Sequence, residues 1–432
     1  MAIKIKFGDP DFKDRIDLLV SARQEIDTNV YDVVREILAD IRSRGDHALI
    51  EYTKKFDRLG LSDAADIKIS EAEVISARVS CSNGTLEALE HAAHRIESYH
   101  EKQLPQGFDY IDNDGVRLGS RWTPISSVGL YVPGGTAAYP SSVLMSAIPA
   151  HVAGVERVVM AVPTPDGDLN PLVLAAASIA GVNEIYRVGG AQAVAAMAYG
   201  TKTINPVDKI VGPGNAYVTA AKRSLFGVVG IDMIAGPSEI LVVADAQNNP
   251  EWIATDLLAQ AEHDGNAQAI LICENESFGD LVINAVEEQL MELPRAEIAR
   301  ESWQKHGAVI IVEKLSDAVP LVDYFAPEHL ELAISEPDEF AMEVRNAGAI
   351  FLGRYTPEAV GDYIAGPSHV LPTSRSAKFS SGLGVTDFLK RTSIIGCDKK
   401  SLDKIGQSAE ILASEEGLNA HARSLELRNK EI

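Results

Sequence analysis

Glu328 and His329 put a carboxylate and an imidazole side by side in the segment FAPEHLEL, residues 325–332. Together they can take two protons at one place, and unperturbed histidine has the side-chain pKa closest to a neutral operating pH, which suits a general base. Pro327 also fits the first position of a helix, where an acid favours the helix dipole, so an ordinary helix start is the competing reading. LLAQAEHDG carries residue types suited to a metal site: Gln260 and His263 stand three apart on an expected helix ended by Gly265, so both project from one face. On metal preference alone Glu262 is a better ligand than Gln260, because zinc takes His, Cys and carboxylate. GDYIAGPSH supplies Asp362 and His369 in a glycine-rich loop, and EGLNAHARSLELR supplies Glu416 and His421; taken singly, each reads as solvated surface. His91, His94 and His100 are read as structural, since LEHAAHRIESYH is an amphipathic helix whose apolar stripe is Leu86, Leu89, Ala93 and Ile96.

The elements that must position these residues follow an α/β pattern. Residues 30–56 read as helical with Gly45 as an interruption. From about Ser126, apolar strands at 157–163, 184–190, 208–214 and 239–245 alternate with alanine-rich helices at 171–182, 191–200 and 216–227. The alternation continues with helices at 250–264 and 278–293 and strands at 268–274 and 349–353. Nearly continuous apolar strands with crossover helices predict parallel sheets covered on both faces. Two doubly wound units are expected, with ligands at the carboxyl ends of the strands. Glycine loops in 128–143, 188–194 and 210–222 each follow an apolar run and precede a helix, where backbone amides can approach a phosphate. None fits G-x-G-x-x-G with an acidic residue about 20 positions on, so the dinucleotide fingerprint is absent. The stretch after about Phe379 reads as a small charged, helical appendage.

Composition sets the frame. A chain of 432 residues implies two or more domains, and 46% apolar residues with a mean hydropathy near zero describe a soluble globular protein. With 39 basic against 62 acidic residues the net charge is −23, which argues against a general nucleic-acid or anionic-membrane binder. Cys81, Cys273 and Cys397 are scattered and far from CxxC spacing; they are read as reduced thiols of a cytoplasmic protein, outside every motif named here. No secretory h-region and no long apolar run is expected to direct the chain into or across a membrane.

Eight motifs in order, GLYVPGG, VGGAQA, VGPGNAYV, DMIAGPSEILV, LLAQAEHD, APEHLEL, AGPSHVLPTS and EGLNAHA, resemble the histidinol dehydrogenase family from about Val30 to Arg428. The resemblance implies an oxidoreductase of histidine biosynthesis that converts L-histidinol through bound L-histidinaldehyde to L-histidine with NAD, the last step of that amino-acid biosynthesis. It implies one zinc per active site, held by residues matching Gln260, His263, Asp362 and His421, the last from the partner subunit of an intertwined homodimer. Substrate contacts match Ser238, Glu416, His369, His329 and the zinc ligands; NAD contacts match Tyr131, Gln192 and Asn215. Glu328 and His329 match the acid–base pair, with His329 the base in both oxidations and Glu328 activating the water that adds to the aldehyde. The implied fold is two incomplete Rossmann-like units with small N-terminal and C-terminal extensions. The expected boundaries are 1–24, then 25–110 with 238–380 as the first unit, 111–237 as the NAD-binding second, and 381–432 as a dimer-crossing extension. Two other readings stand beside this one: a related zinc and NAD dehydrogenase of another amino alcohol or diol, and a metal-stabilised dimeric nucleotide-binding scaffold without turnover.

Overall fold

The computed structural model describes residues 3–21, 28–134, 139–234 and 236–429. Two parallel sheets carry the chain. In the larger, the strands lie in the order Ile3–Lys6, Ala308–Ile311, Gln268–Cys273, Glu239–Ala244, His329–Ala333, Ala349–Leu352, and every pairing is parallel. In the smaller, the order is Glu184–Tyr186, Arg157–Ala161, Ser127–Tyr131, Lys209–Val211, Gly230–Ile231, again all parallel. Leaving aside the edge strand Ile3–Lys6, each sheet winds outward from its first strand and then reverses, giving the order 3-2-1-4-5 in both. Such a reversal opens a crevice beside the first strand.

Strand periodicity divides the core by face. Along Arg157–Ala161 and just beyond, Val158, Met160 and Val162 pack in one buried cluster while Val159 and Ala161 pack in the cluster on the opposite face. In the larger sheet Leu330 and Leu332 join Leu241, Val243, Ile270 and Ile272 on one face. Ala333 joins Ile240, Val242 and the helix Pro250–Ala261 on the other. His329 and Glu331, at even spacing from Ala333, therefore lie on the face covered by that helix.

The packing regroups the expected boundaries. Val34, Ile37, Leu38, Ile41, Ala48 and Leu49, from the helices Thr28–Arg44 and Asp46–Phe56, pack against Val159, Ala161 and the helix Gly190–Tyr199 of the smaller sheet. Ala92 and Ile96 of the helix Asn83–Glu101 cover its other face. Residues 28–101 thus pack their apolar stripes against the two faces of the smaller sheet, while Arg95 also donates to the Ile364 and Ala365 carbonyls, at 2.6 and 3.2 Å. The N-terminal segment adds the strand Ile3–Lys6 to the edge of the larger sheet. The C-terminal segment is not wholly helical: Leu389–Gly396 pairs antiparallel with Arg117–Pro124, which pairs with Phe108–Ile111, and the helices Lys399–Glu415 and Asn419–Asn429 follow.

Candidate active site

Glu328 and His329 begin a strand, not a helix. The helix Ala318–Phe325 stops before them at Ala326, which adopts the left-handed conformation (φ 49°, ψ 60°), and the strand His329–Ala333 follows. Glu328 is held through its own backbone: its carbonyl accepts from Ala349 N at 2.9 Å, and a Cβ on Gly348 would lie 2.5 Å from that oxygen, so only glycine permits the approach. Its Oε2 accepts from Glu239 N at 2.9 Å. Glu328 and His329 are both buried, at 5% and 4% exposure.

His329 Nδ1 lies 3.0 Å from the Glu239 carbonyl, 3.3 Å from Glu358 Oε1 and 3.8 Å from Glu328 Oε2. A carbonyl can only accept, so Nδ1 carries the proton in the neutral ring and Nε2 holds the free lone pair. Nε2 is buried with no hydrogen-bond partner among the described residues and stands 3.8 Å from Asp362 Oδ1. Burial pushes the His329 pKa below the ordinary histidine value; the Asp362 carboxylate and the Glu239 carbonyl oppose that shift, while His369 and His263 reinforce it. The ring is therefore neutral at neutral pH, as a base must be.

Gln260 is fully buried on the helix Pro250–Ala261. With its amide turned to satisfy both neighbours, it donates to Glu358 Oε1 at 2.8 Å and accepts from Glu239 N at 2.7 Å. That helix is assigned to end at Ala261, four residues before Gly265, but Glu262 keeps helical φ/ψ and His263 N donates to the Gln260 carbonyl at 3.2 Å, so His263 lies one turn on from Gln260. His263 sits in the turn beyond it, exposed, yet near enough for its charge to bear on both His329 and His369. Asp362 lies on the short helix Glu358–Tyr363 rather than in a loop. His369 Nδ1 meets the Asp362 carbonyl at 3.0 Å and its Nε2 meets Ser142 Oγ at 3.2 Å, which ties the site to the helix Pro140–Ala153 of the smaller unit. Ser238 stands at the entry to Glu239–Ala244, its carbonyl accepting from Gln268 N at 3.0 Å.

Sequence reasoning missed three carboxyl groups. Glu358 offers an oxygen within a group, completed by His329 and Asp362, whose potential ligand atoms all lie within 4.8 Å of one another. Glu331 Oε1 accepts from Glu358 N, and Asp256 on the helix above is close enough to raise the Glu331 pKa. Burial, then Asp362, Glu331, Glu328 and Asp256, push Glu358 well above the usual carboxylate range. The signal available in sequence was the four-residue spacing of Glu358 and Asp362, which puts them on one helical face.

His329 and Glu239 open their strands and Glu328 and Ser238 directly precede them, so this part of the cluster lies at the amino ends of the larger sheet's strands, not the expected carboxyl ends, while Glu331 is in mid-strand. In the smaller sheet the three residues expected to contact NAD lie at the carboxyl ends of the strands. At its carboxyl end Tyr131 ends a strand and its hydroxyl accepts from Gly190 N at 3.0 Å; burial pushes its pKa up to about 12. Gln192 is 1% exposed and its Nε2 has no hydrogen-bond partner among the described residues. Asn215 caps the helix Ala216–Leu225, accepting from Tyr217 N and Val218 N, each at 3.1 Å. Glu416 and His421 are not brought to the cluster: both are exposed on the C-terminal helical pair, and neither has a side-chain hydrogen bond or ion pair to it among the described residues.

The donor set suits a divalent cation. Glu328, Glu331, Glu358, Asp362 and Asp256 crowd one buried region, and His329 Nε2, without a hydrogen-bond partner among the described residues, lies beside it. The orphaned Gln192 Nε2, beside a Gly190 at φ 67° where a Cβ would lie 2.7 Å from Gln192 Oε1, likewise suits a polar ligand pressed onto the glycine turn.

Comparison with known proteins identifies relatives over the whole chain. The family profile described as histidinol dehydrogenase matches residues 20–429. A histidinol dehydrogenase of Rhodospirillum rubrum is 61% identical over 429 residues, covering 99% of each chain. That of Rhizobium meliloti is 58% identical over 428 residues, covering 99% of this chain and 98% of its own. The crystal structure of histidinol dehydrogenase from Elizabethkingia anophelis superposes with a TM-score of 0.94 at 36% identity, over 99% of this chain and 98% of that one. With full-length matches in sequence and in fold, the chain belongs to the histidinol dehydrogenase family.

Proposed function

We propose that the chain oxidises L-histidinol to L-histidine through a bound aldehyde, as the last step of histidine biosynthesis, with one zinc per site and two NAD⁺ consumed. The observation that carries this reading is the buried Glu328–His329 pair, with His329 neutral and its Nε2 unpartnered at the mouth of an acidic cluster. When bound, zinc supplies a template that orients the amino alcohol, and NAD⁺ accepts the hydrides.

The residues do the rest. His329 Nε2 takes the alcohol proton, and the Glu239 carbonyl holds Nδ1–H so that Nε2 is the basic atom. The same nitrogen takes a proton in the second oxidation. Between the two, Glu328 removes a proton from the water that adds to the aldehyde while the His329 imidazolium returns its proton to the aldehyde oxygen, which frees Nε2 for the second oxidation. Burial of the pair keeps bulk water from the aldehyde while it waits. Gln260, His263, Asp362 and His421 hold the metal in this reading, and Ser238, His369 and Glu416 complete the substrate site. Tyr131, Gln192 and Asn215 hold the dinucleotide at the carboxyl end of the smaller sheet.

His421 comes from a second copy in this reading. The appendage that carries it exposes Phe108, Ile111, Ile395, Leu412, Leu418 and Leu427, an apolar set suited to a homodimer contact. No helix among the described residues is long and apolar enough to cross a membrane. The test is NADH formed per L-histidinol consumed, with and without a chelator: a ratio near two that chelation abolishes is expected, and a ratio near one or chelator-insensitive turnover refutes the proposal.

A further inference from the structure

A buried ion pair lies behind the glycine loop that leaves the strand Lys209–Val211. The side chains of Lys222 and Asp232 are 3% and 1% exposed and in direct contact. Lys222 Nζ also donates to the Gly212 carbonyl at 2.9 Å, while Asp232 Oδ2 accepts from Gly212 N at 2.7 Å. Both backbone polar groups of one glycine are thus held by opposite charges.

Gly212 sits where the loop has least freedom. Its φ is 110°, and a Cβ there would lie 2.2 Å from the Tyr131 carbonyl oxygen. From it the chain runs through Pro213 and Gly214 to Asn215 and the helix Ala216–Leu225, from which Lys222 reaches back to Gly212. Asp232 stands directly after the next strand, Gly230–Ile231. Strand end, loop, helix and neighbouring strand are closed into one ring by two side chains that cannot themselves reach a ligand.

A buried ion pair is weak support for stability, since an apolar pair of similar volume often does as well. What an apolar pair cannot do is grip Gly212. We infer that Lys222 and Asp232 are positioning residues for the dinucleotide: their clasp on Gly212 sets where Asn215 and the following helix start meet it. The inference rests on the reading that places NAD at Tyr131, Gln192 and Asn215.

The experiment compares NAD⁺ affinity by calorimetry, and the KM values for NAD⁺ and L-histidinol, in the zinc-loaded parent, Asn215→Ala and Lys222→Met/Asp232→Leu. The double variant removes both charges together and leaves neither unpaired. Its Kd and KM for NAD⁺ are expected to rise on the order of tenfold, with metal content, the KM for L-histidinol and kcat at saturating NAD⁺ near the parent's. A parent-like Kd in a folded double variant, beside a weakened Asn215→Ala, overturns the clasp alone. A parent-like Kd for Asn215→Ala overturns the cofactor placement and the inference with it. Should the double variant not fold, Asp232→Asn keeps an acceptor for Gly212 N while removing the charge that holds Lys222. A several-fold rise in Kd supports the clasp there, and an unchanged Kd overturns it.

Discussion

The two parallel sheets wind in the same order, yet they leave opposite ends open. At the carboxyl end of the larger sheet, where the reversal should open a crevice, Arg354 pairs with Asp245 at 2.7 Å. Ser335 donates to the same carboxylate at 3.0 Å, and Asn248 donates to the Ala333 carbonyl at 2.6 Å. That end is filled by a matched polar network. At the amino end, Glu331, Glu358 and Asp362 lie about His329 with no arginine or lysine ion-paired to them among the described residues, and Glu328 stands beside them. In the smaller sheet the carboxyl end keeps its glycine turns. Sheet order alone therefore does not choose the working end; the side chains that fill or starve each crevice do. His369, touching both Asp362 and Ser142, joins the larger sheet's amino-end cluster to the smaller unit.

The sharpest way to break that contrast is to remove the base. His329→Asn should lower both oxidations by about 10³- to 10⁴-fold, because no second histidine donates Nδ1–H to Glu239 and so presents a free Nε2. Steady-state NADH formation from histidinol and from the aldehyde checks it; loss confined to one substrate would assign the proton transfers to different groups.

Glu328→Gln should act more narrowly. It keeps an oxygen to accept from Glu239 N, so the fold of the strand start persists, while acid formation from the aldehyde slows by about 10²-fold. The first hydride should still be released at nearly the parent rate in a single-turnover experiment. Equal loss of both steps would show that the pair acts as one unit.

How much of this was legible beforehand depended on what kind of fact each residue expresses. Gly190 and Gly212 were readable because positive φ and close approach demand glycine whatever surrounds them. The Glu328–His329 pair could be singled out because a carboxylate beside an imidazole is legible in the residue types alone. Its setting was not: helix termination at Ala326 turns on a left-handed alanine that no propensity favours, and tertiary pairing of His329 with Ile240 and Ala349 decides for strand. Glu358 and Glu331 gained meaning only when the chain brought them together across 27 positions, and Arg354 meets Asp245 across 109. Helix start or strand start, carboxyl end or amino end, were both settled by contacts that no local window contains.

At the filled end the expected effect is on folding alone. Arg354→Ala strands the Asp245 carboxylate, of which 9% remains exposed, and should cost about 2 kcal/mol once the partial exposure of Arg354 is allowed for. Urea midpoints measure this, and kcat per folded molecule should not move. A fall in kcat without a fall in midpoint would show that the carboxyl end of this sheet takes part in the reaction after all.

The smallest effect isolates what separates the two ends, namely whether a buried acid has a cation. Asp245 has Arg354; no ion pair of Asp256 is formed among the described residues, and burial raises the Asp256 pKa from 3.8 to about 6. Because the folded state holds this proton more tightly than the unfolded chain, nothing is lost below about pH 4, where both are protonated. Stability then falls as pH rises from about 4 through about 6, and stays reduced above that. Asp256→Asn removes the titration. In chelator-treated protein the variant should be more stable than the parent by about 1–2 kcal/mol at pH 8, with the gain shrinking as the pH is brought toward 4.5. A gain that does not change with pH would mean that packing at this position, rather than an uncompensated charge, distinguishes the amino end from the filled one.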